Sequence, residues 1–114
     1  MKLDAIAQSL NLVLLTEPKN LGDINATTGY TSDMLSCVMS GASRGSIWVT
    51  LQAHVNVVAV AALLELAAII ITENAAPDPA TIAKANEKEI ILFSTSLASF
   101  EVVGKLWEMG IRAN

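Results

Sequence analysis

The stretch HVNVVAVAALLELAAIIITEN, residues 54–74, decides how this chain folds. Between Val55 and Ile71 only Asn56 and Glu65 interrupt a run of apolar residues. A membrane-spanning helix needs about 17 to 25 such residues, and this run only reaches the lower limit. Length and hydropathy therefore leave two structures open: a membrane span, or two buried elements in succession.

Residue types favour the two buried elements. The segment VNVVAVAALLEL is followed by AAIIIT, and three consecutive isoleucines at 69–71 are typical of a buried strand. No cluster of Lys or Arg and no Trp or Tyr anchor flanks the run, as membrane spans commonly have. The sequence therefore predicts a buried helix followed by a buried strand, and no membrane segment.

Composition narrows the class of protein further. Hydrophobic residues make up 53% of the 114 residues and charged residues only 16%, which indicates that part of the surface is covered by another subunit. The net charge of −4 and the scattered basic residues argue against nucleic-acid binding. One cysteine, Cys37, excludes an internal disulfide framework. The N-terminus lacks the pattern of a signal peptide, so the expected compartment is the cytoplasm.

Helices and strands are predicted to alternate along the whole chain. Continuous apolar runs at 10–16, 46–51, 68–72 and 90–94 are typical of strands that are covered on both faces. Helical patterns lie at 2–10, 32–40, 55–66, after the N-cap Asp78-Pro79, and at 99–109. Residues 21–30 leave room for a short extra strand. This order predicts the α/β class: a single three-layer α/β/α domain over 1–114, with a mostly parallel sheet of four to five strands and helices on both faces.

Two of the predicted helices differ in their surfaces. In the last one, apolar residues fill half of the circumference, from Phe100 to Met109, so this helix is expected to pack on the sheet with Trp107 in the core. The helix at 55–66 has no polar stripe, and a helix that is apolar all round must be covered all round. We expect a second copy of the chain to cover its outer side, with Val55, Val58 and Leu64 as interface residues.

The sequence resembles the DRTGG domain family, in particular its short, stand-alone members. The resemblance covers nearly the whole chain and is weakest before Leu21. It is carried by GYTSDMLSCVM (29–39), WVTLQAHVNVVAVA (48–61) and SFEVVGKLWEMGI (99–111). Where the family carries its signature, just after the middle strand, this chain has TLQAH (50–54) and no Asp-Arg pair. That departure puts in doubt any anion-binding role tied to the family's arginine.

What the resemblance implies is a small α/β/α domain related to the N-terminal domain of HPr kinase. Such domains stand beside CBS nucleotide-sensing modules in some pyrophosphatases and within some phosphate acetyltransferases. The resemblance implies a regulatory or ligand-binding role with self-association.

Open α/β sheets bind ligands beyond the carboxyl ends of their strands, and here those ends are polar. Hydroxyls, amides and one imidazole at these positions are suited to a phosphate or a sugar, although caps and turns use the same residue types. Of these residues His54 ranks first as a binding candidate. The candidates are Thr50, Gln52, His54, Thr72, Glu73, Asn74, Ser94, Thr95, Tyr30 and Ser32.

Catalytic, metal and cofactor sites are not expected. One histidine and no spaced acidic cluster argue against a metal site. Cys37 is expected to be a small core residue. The segment GASRG (41–45) has neither the spacing nor the lysine of a phosphate-binding loop, which argues against an enzyme like HPr kinase.

Three functions remain in order of preference. The first is a homodimeric, non-catalytic sensor of a nucleotide or phosphorylated metabolite, which acts alone or on a partner enzyme in trans. The second is a protein-interaction scaffold without a small-molecule ligand. The third is an enzyme like HPr kinase.

Overall fold

Five strands and five helices alternate along residues 1–114, all of which the computed structural model describes. A single 3₁₀ turn at Leu21–Asp23 lies between the first two strands. The strands are β1 (Val13–Leu14), β2 (Gly29–Thr31), β3 (Ile47–Thr50), β4 (Ala68–Ile71) and β5 (Leu92–Ser94). The helices are α1 (Leu3–Leu10), α2 (Leu35–Gly41), α3 (Val55–Leu64), α4 (Pro79–Glu87) and α5 (Ser99–Glu108).

The long apolar stretch forms α3 and β4, with Glu65 between them. Glu65 has a φ of 55°, in the left-handed region, and its backbone N–H donates to the carbonyls of Ala61 and Ala62. Its carboxylate lies 2.6 Å from Arg44 Nε at the surface. Because a charged side chain needs solvent, the one acidic residue of the run marks the turn out of the helix. No helix in the structure is long and apolar enough to span a membrane.

The sheet has the order β1-β5-β4-β3-β2. Strands β2 to β5 are parallel to one another, and only β1 is antiparallel to its neighbour. The crossovers through α2, α3 and α4 all move in one direction across the sheet, so right-handed connections place these three helices on the same face. Helices α1 and α5 cover the opposite face. The predicted three-layer α/β/α architecture with a mostly parallel sheet is therefore confirmed.

Alternating side chains of the central strands pack into two separate cores, one on each face of the sheet. Ile47 and Val49 of β3 pack toward α1 and α5, whereas Trp48 between them packs toward α2, α3 and α4. Strand β4 alternates in the same way, and all residues of β3 and β4 are buried. Burial on both faces explains why these strands are continuous apolar runs rather than alternating ones.

The first strand is much shorter than the sequence suggests. The apolar run at 10–16 divides between the end of α1, a left-handed turn at Asn11 (φ 53°) and the two residues of β1. Leu10 is buried in the α1 helix rather than in the sheet. The extra strand expected within 21–30 is β2, at the end of that segment.

Three expectations about the core are wrong. Trp48 is fully buried as expected, but Trp107 is 51% exposed and Phe100 is 92% exposed. The apolar arc of α5 is wider than the surface it covers, so its edge remains in solvent. Cys37 is exposed, and its sulfur lies 3.7 Å from the sulfur of Met34. Only a narrow side of α2 faces the core, where Val38 is buried and Leu35 is partly buried.

The outer side of α3 is narrower than its sequence suggests. The helix packs on the sheet and also contacts α2 and α4 on its flanks. Val58 is fully buried inside the domain, which corrects its prediction as an interface residue. Val55 and Leu64 are half-buried, and the only large apolar side chain that points out from α3 is Leu63, at 67% exposed. Contacts within one chain therefore account for most of the apolar circumference of α3.

Candidate ligand-binding site

The four parallel strands end at one edge of the sheet, where the predicted binding residues fall into two groups. Because strands β5 and β3 are separated by β4, the groups are centred about 10 Å apart. The first group follows β4 and β5 and consists of Thr72, Glu73, Asn74, Ser94 and Thr95. The second group lies on or after β2 and β3 and consists of Tyr30, Ser32, Thr50, Gln52 and His54.

A polar pocket of about 420 Å³ opens at the end of β5. We call it the polar pocket and define it by its lining: Ser9, Leu10, Asn11, Val13, Asn74, Ser94, Thr95, Ser96, Leu97 and Lys105. Three of the predicted residues, Asn74, Ser94 and Thr95, contribute to it. Ser96 and Leu97 follow Thr95 in the loop after β5. The remaining lining comes from the end of α1 with the turn into β1, and from Lys105 of α5, which the sequence does not place at this edge.

The antiparallel strand β1 explains why the residues from the end of α1 and the turn into β1 were missed. Val13 pairs with Ser94, so the start of β1 lies at the carboxyl end of β5. The chain that leads into β1, with Ser9 and Asn11, therefore reaches the same edge. The only sequence signal for this placement is the polar pair Ser9 and Asn11 around a buried Leu10.

Lys105 is the one cationic side chain of the polar pocket, and no carboxylate lines it. The ammonium lies 3.7 Å from the carboxylate of Glu101, one helical turn away, and the lysine side chain is 46% exposed. An exposed pair at this distance contributes little energy, so it does not hold the ammonium firmly. Lysine donors therefore stay available to an anionic group in the pocket.

Thr72 and Glu73 do not line the pocket; they connect the end of β4 to the start of α5. The Thr72 hydroxyl is fully buried and shares a 2.6 Å hydrogen bond with the Ser99 hydroxyl. The Glu73 carboxylate accepts the backbone N–H of Ser99 at 2.9 Å, in the first turn of α5. This carboxylate occupies the place where a helix N-terminus would otherwise attract an external anion. A ligand at this edge must therefore use side chains rather than the start of α5.

The turn after β4 has an uncommon backbone. Glu73 and Asn74 are consecutive residues with φ values of 61° and 58°, in the left-handed region that disfavours residues other than glycine. The backbone N–H of Asn74 donates to the Thr95 carbonyl at 3.0 Å, which ties this turn to the end of β5. The turn thereby brings Asn74 to the wall of the polar pocket.

The residues after β2 and β3 make local structural contacts. The buried Thr50 hydroxyl donates to Asp33 Oδ1 at 2.8 Å, and the Leu51 N–H donates to the same oxygen at 2.9 Å. The Ser32 hydroxyl accepts the Met34 N–H, and its carbonyl accepts the indole N–H of Trp48. Asp33 joins the ends of two strands, a role that its position in the sequence does not reveal.

His54 begins α3 as an N-cap. Its Nδ1 accepts the Asn56 N–H at 3.1 Å, so that nitrogen carries no proton in this arrangement. Gln52 and His54 remain exposed, but neither lines a pocket.

Asp78 begins α4 in the way that its sequence predicts. Hydrogen bonds from the Thr81 hydroxyl and then from the Thr81 backbone N–H hold the pKa of Asp78 below its usual value, and the charge of His54 when protonated lowers it further. Asp78 and His54 thus stabilise the starts of two adjacent helices.

Tyr30 lies away from the polar pocket. Its ring packs on Gly41, where an added Cβ would come within 2.6 Å of the tyrosine oxygen. Tyr30 also contributes to a second cavity of about 330 Å³, which we call the α5 groove. The groove lies between α5 and β2 and is lined by Gly29, Tyr30, Thr31, Val49, Val103, Trp107, Ile111, Arg112 and Ala113. The Arg112 guanidinium lies 4.6 Å above the ring centre of Trp107 at its rim.

The comparisons with known proteins establish a fold relationship. The sequence matches no family model, and no curated protein matches it. Among solved structures, it is similar to the CBS and DRTGG domains of the regulatory region of a Clostridium perfringens pyrophosphatase, complexed with the activator diadenosine tetraphosphate. The TM-score is 0.73 at 18% identity, over 90% of this chain and 44% of the other. The chain therefore spans less than half of that structure, and the likeness shows a shared fold.

The side chains of the polar pocket are suited to recognition of a phosphate or a sugar. Hydroxyls, two amides and an ammonium can donate hydrogen bonds to phosphate and sugar oxygens. No histidine and no carboxylate lines the pocket. No group of three or more His, Cys, Asp or Glu side chains in the structure could hold a metal ion.

Proposed function

We propose that this chain is a non-catalytic regulatory domain of the DRTGG type, which binds a nucleotide or another phosphorylated metabolite in the polar pocket and acts as a homodimer. The observation that carries the proposal is the lining of the pocket: one lysine, several hydroxyls and two amides around about 420 Å³, without a carboxylate. This donor-rich set is suited to phosphate oxygens. A cavity of this volume is within the range of small-molecule sites.

The pyrophosphatase structure supports the same class of function. A shared fold does not by itself imply a shared ligand. A regulatory region that takes a nucleotide activator is nevertheless consistent with a ligand-sensing role for this fold. The donors of the polar pocket supply an independent reason, from this chain's own residues, to favour a phosphorylated ligand.

Two of the donors lie on separate elements, and this suggests how occupancy would be sensed. Lys105 belongs to α5, whereas Asn74 belongs to the left-handed turn after β4. A phosphate that bridges the two would strengthen the connection that Glu73 and Thr72 already make to Ser99. Ligand binding would thereby hold α5 more firmly against the sheet.

The test is a thermal-shift screen followed by calorimetry. The panel contains adenine and guanine nucleotides, acetyl phosphate, coenzyme A derivatives and sugar phosphates. A ligand at a hundredfold its dissociation constant adds about 2.7 kcal/mol to the free energy of unfolding, which raises the midpoint by several degrees.

Lys105→Gln locates the site, and Lys84→Gln is its matched control. Lys84 is partly exposed, with 41% of its side chain accessible, and lies 3.6 Å from a glutamate on its own helix α4. It lines no pocket. We expect Lys105→Gln to weaken binding of the hit about tenfold, the loss of one hydrogen bond to a charged group, and Lys84→Gln to leave it unchanged. A flat response across the panel from folded protein would overturn the sensor proposal. Binding that survives Lys105→Gln would place the site elsewhere on the edge.

A further inference from the structure

Helix α5 exposes an apolar stripe that no contact within the chain explains. Phe100, Val103, Gly104 and Trp107 follow one another at the spacing that places residues on one face of a helix. Phe100 is 92% exposed and Trp107 is 51% exposed, while Val103 is half-buried at the wall of the α5 groove. Two large aromatic side chains on one exposed face are typical of an interaction surface.

Gly104, at the centre of the stripe, is the second unexplained feature. Glycine is disfavoured inside helices relative to alanine. Gly104 is not among the residues with positive φ, so the backbone does not require it. A Cβ at this position would meet no atom within 4 Å, so packing inside the chain does not require it either. Nothing within one chain therefore explains a glycine at this position.

We propose that a second copy of the chain docks on this stripe, with the two α5 helices antiparallel across a two-fold axis. An interface of this symmetry must complement itself, because each copy contributes the same surface. An axis midway between Val103 and Gly104 places Val103 of each copy over Gly104 of the other. The same axis places Phe100 opposite Trp107 of the second copy, because both lie about 5 Å along the helix from the midpoint. The helix is thus complementary to itself about this axis: the Val103 side chain fits over Gly104, and Phe100 faces Trp107.

The two aromatic side chains supply about half of the area that a stable dimer needs. Phe100 and Trp107 bury roughly 300 Å² per copy when covered, given their exposed fractions, or roughly 600 Å² for the pair of copies. A stable interface needs about 1,200 Å² in total. The α5 groove, a cavity of about 330 Å³ that adjoins Trp107, offers further surface next to the stripe. A Phe100 ring of the second copy that packs on Trp107 also enters this groove.

The inference rests on the homodimer of the proposed function and replaces α3 with α5 as its contact surface. The aromatic pairing is tested by sedimentation velocity at micromolar concentrations on three variants: Phe100→Asp, Trp107→Lys and, on α3, the control Leu63→Asp. Leu63 is 67% exposed, so all three changes introduce a charge at an exposed apolar position.

We expect the natural chain and Leu63→Asp to sediment as a dimer of 24.0 kDa, twice the 12.0 kDa of one chain. Phe100→Asp and Trp107→Lys should each weaken self-association roughly tenfold or more. An equimolar mixture of these two variants should recover the dimer, because one contact then joins the two introduced charges and the other keeps the natural aromatic pair. Gly104→Leu should abolish the dimer while the monomer stays folded, since a Cβ at this exposed position meets no atom within 4 Å in one copy.

Other outcomes overturn the inference. A dimer that only Leu63→Asp disrupts would return the interface to α3. A dimer that all variants keep would place it on another surface. A natural chain that is monomeric would assign the stripe to a different protein or to a flat ligand in the groove. The calorimetric test of the polar pocket is separate, so failure of this interface and failure of ligand binding are distinguishable.

Discussion

The carboxylate of Glu73 accepts the backbone N–H of Ser99 at 2.9 Å, and this bond joins the turn after β4 to the start of α5. Glu73 adopts a left-handed φ of 61° to make it. For a residue with a Cβ that conformation costs about 1 to 2 kcal/mol. The chain thus keeps a strained residue at the edge where the polar pocket lies, and strain of this kind is common at functional sites.

Two substitutions of Glu73 separate the hydrogen bond from the strain. Glu73→Ala loses the cap and keeps the strain, so we expect the free energy of unfolding to fall by about 1 kcal/mol. Glu73→Gly loses the same cap but adopts a positive φ freely, so it should be about 1 kcal/mol more stable than Glu73→Ala. Urea unfolding measures both variants. The control is Glu101→Ala, which removes a carboxylate from the first turn of α5, where Ser99 also lies. Equal stabilities for the two variants would show that the turn is not strained.

Gly41 and Gly104 lie in helices and are expected to respond to alanine in opposite directions. A Cβ at Gly41 would come within 2.6 Å of the Tyr30 ring, so Gly41→Ala should lower the free energy of unfolding by about 1 to 3 kcal/mol. Gly104→Ala meets open space and should raise the stability of the monomer by about 1 kcal/mol. Thermal unfolding at low protein concentration measures both. Tyr30→Leu combined with Gly41→Ala should recover part of the loss, and no recovery would mean that the clash lies elsewhere.

Local signals in the sequence predict the fold well, and long-range contacts account for what they miss. The isoleucines at 69–71 and the Asp78-Pro79 cap act through their own neighbours, so the sequence predicts their elements correctly. The polar pocket depends on the antiparallel pairing of Val13 with Ser94, which no local pattern encodes. For that reason Asn74, Ser94 and Thr95 could be predicted as lining residues, whereas Ser9 and Asn11 could not.

The hydrogen bonds that Asp78 accepts predict a dependence of stability on acid pH. Thr81 lowers the pKa of Asp78 in the folded chain, so folding favours the charged carboxylate. The resulting stabilisation is present above the unfolded pKa of about 3.9 and is lost as the pH falls through the lower folded value. Asp78→Asn keeps a capping side chain but cannot titrate, so its stability should fall less between pH 5 and about pH 2. Unfolding of both proteins across that range is the measurement. If the free energy of unfolding falls equally with pH in both proteins, Asp78 does not have this role. Thr81→Val should give a pH dependence of the free energy of unfolding between those of the two proteins.

His54 is predicted to act on stability and not on ligand binding. Its Nδ1 accepts the Asn56 N–H, so His54→Ala should cost about 1 kcal/mol of stability, and His54→Asn should restore it, since asparagine is a good N-cap. His54 does not line the polar pocket, so both variants should bind the ligand found in the screen as tightly as the natural chain does. Urea unfolding and calorimetry on the same samples separate the two effects. A variant with natural stability and weakened binding would move the ligand to the ends of β2 and β3, because His54 lies on that half of the edge.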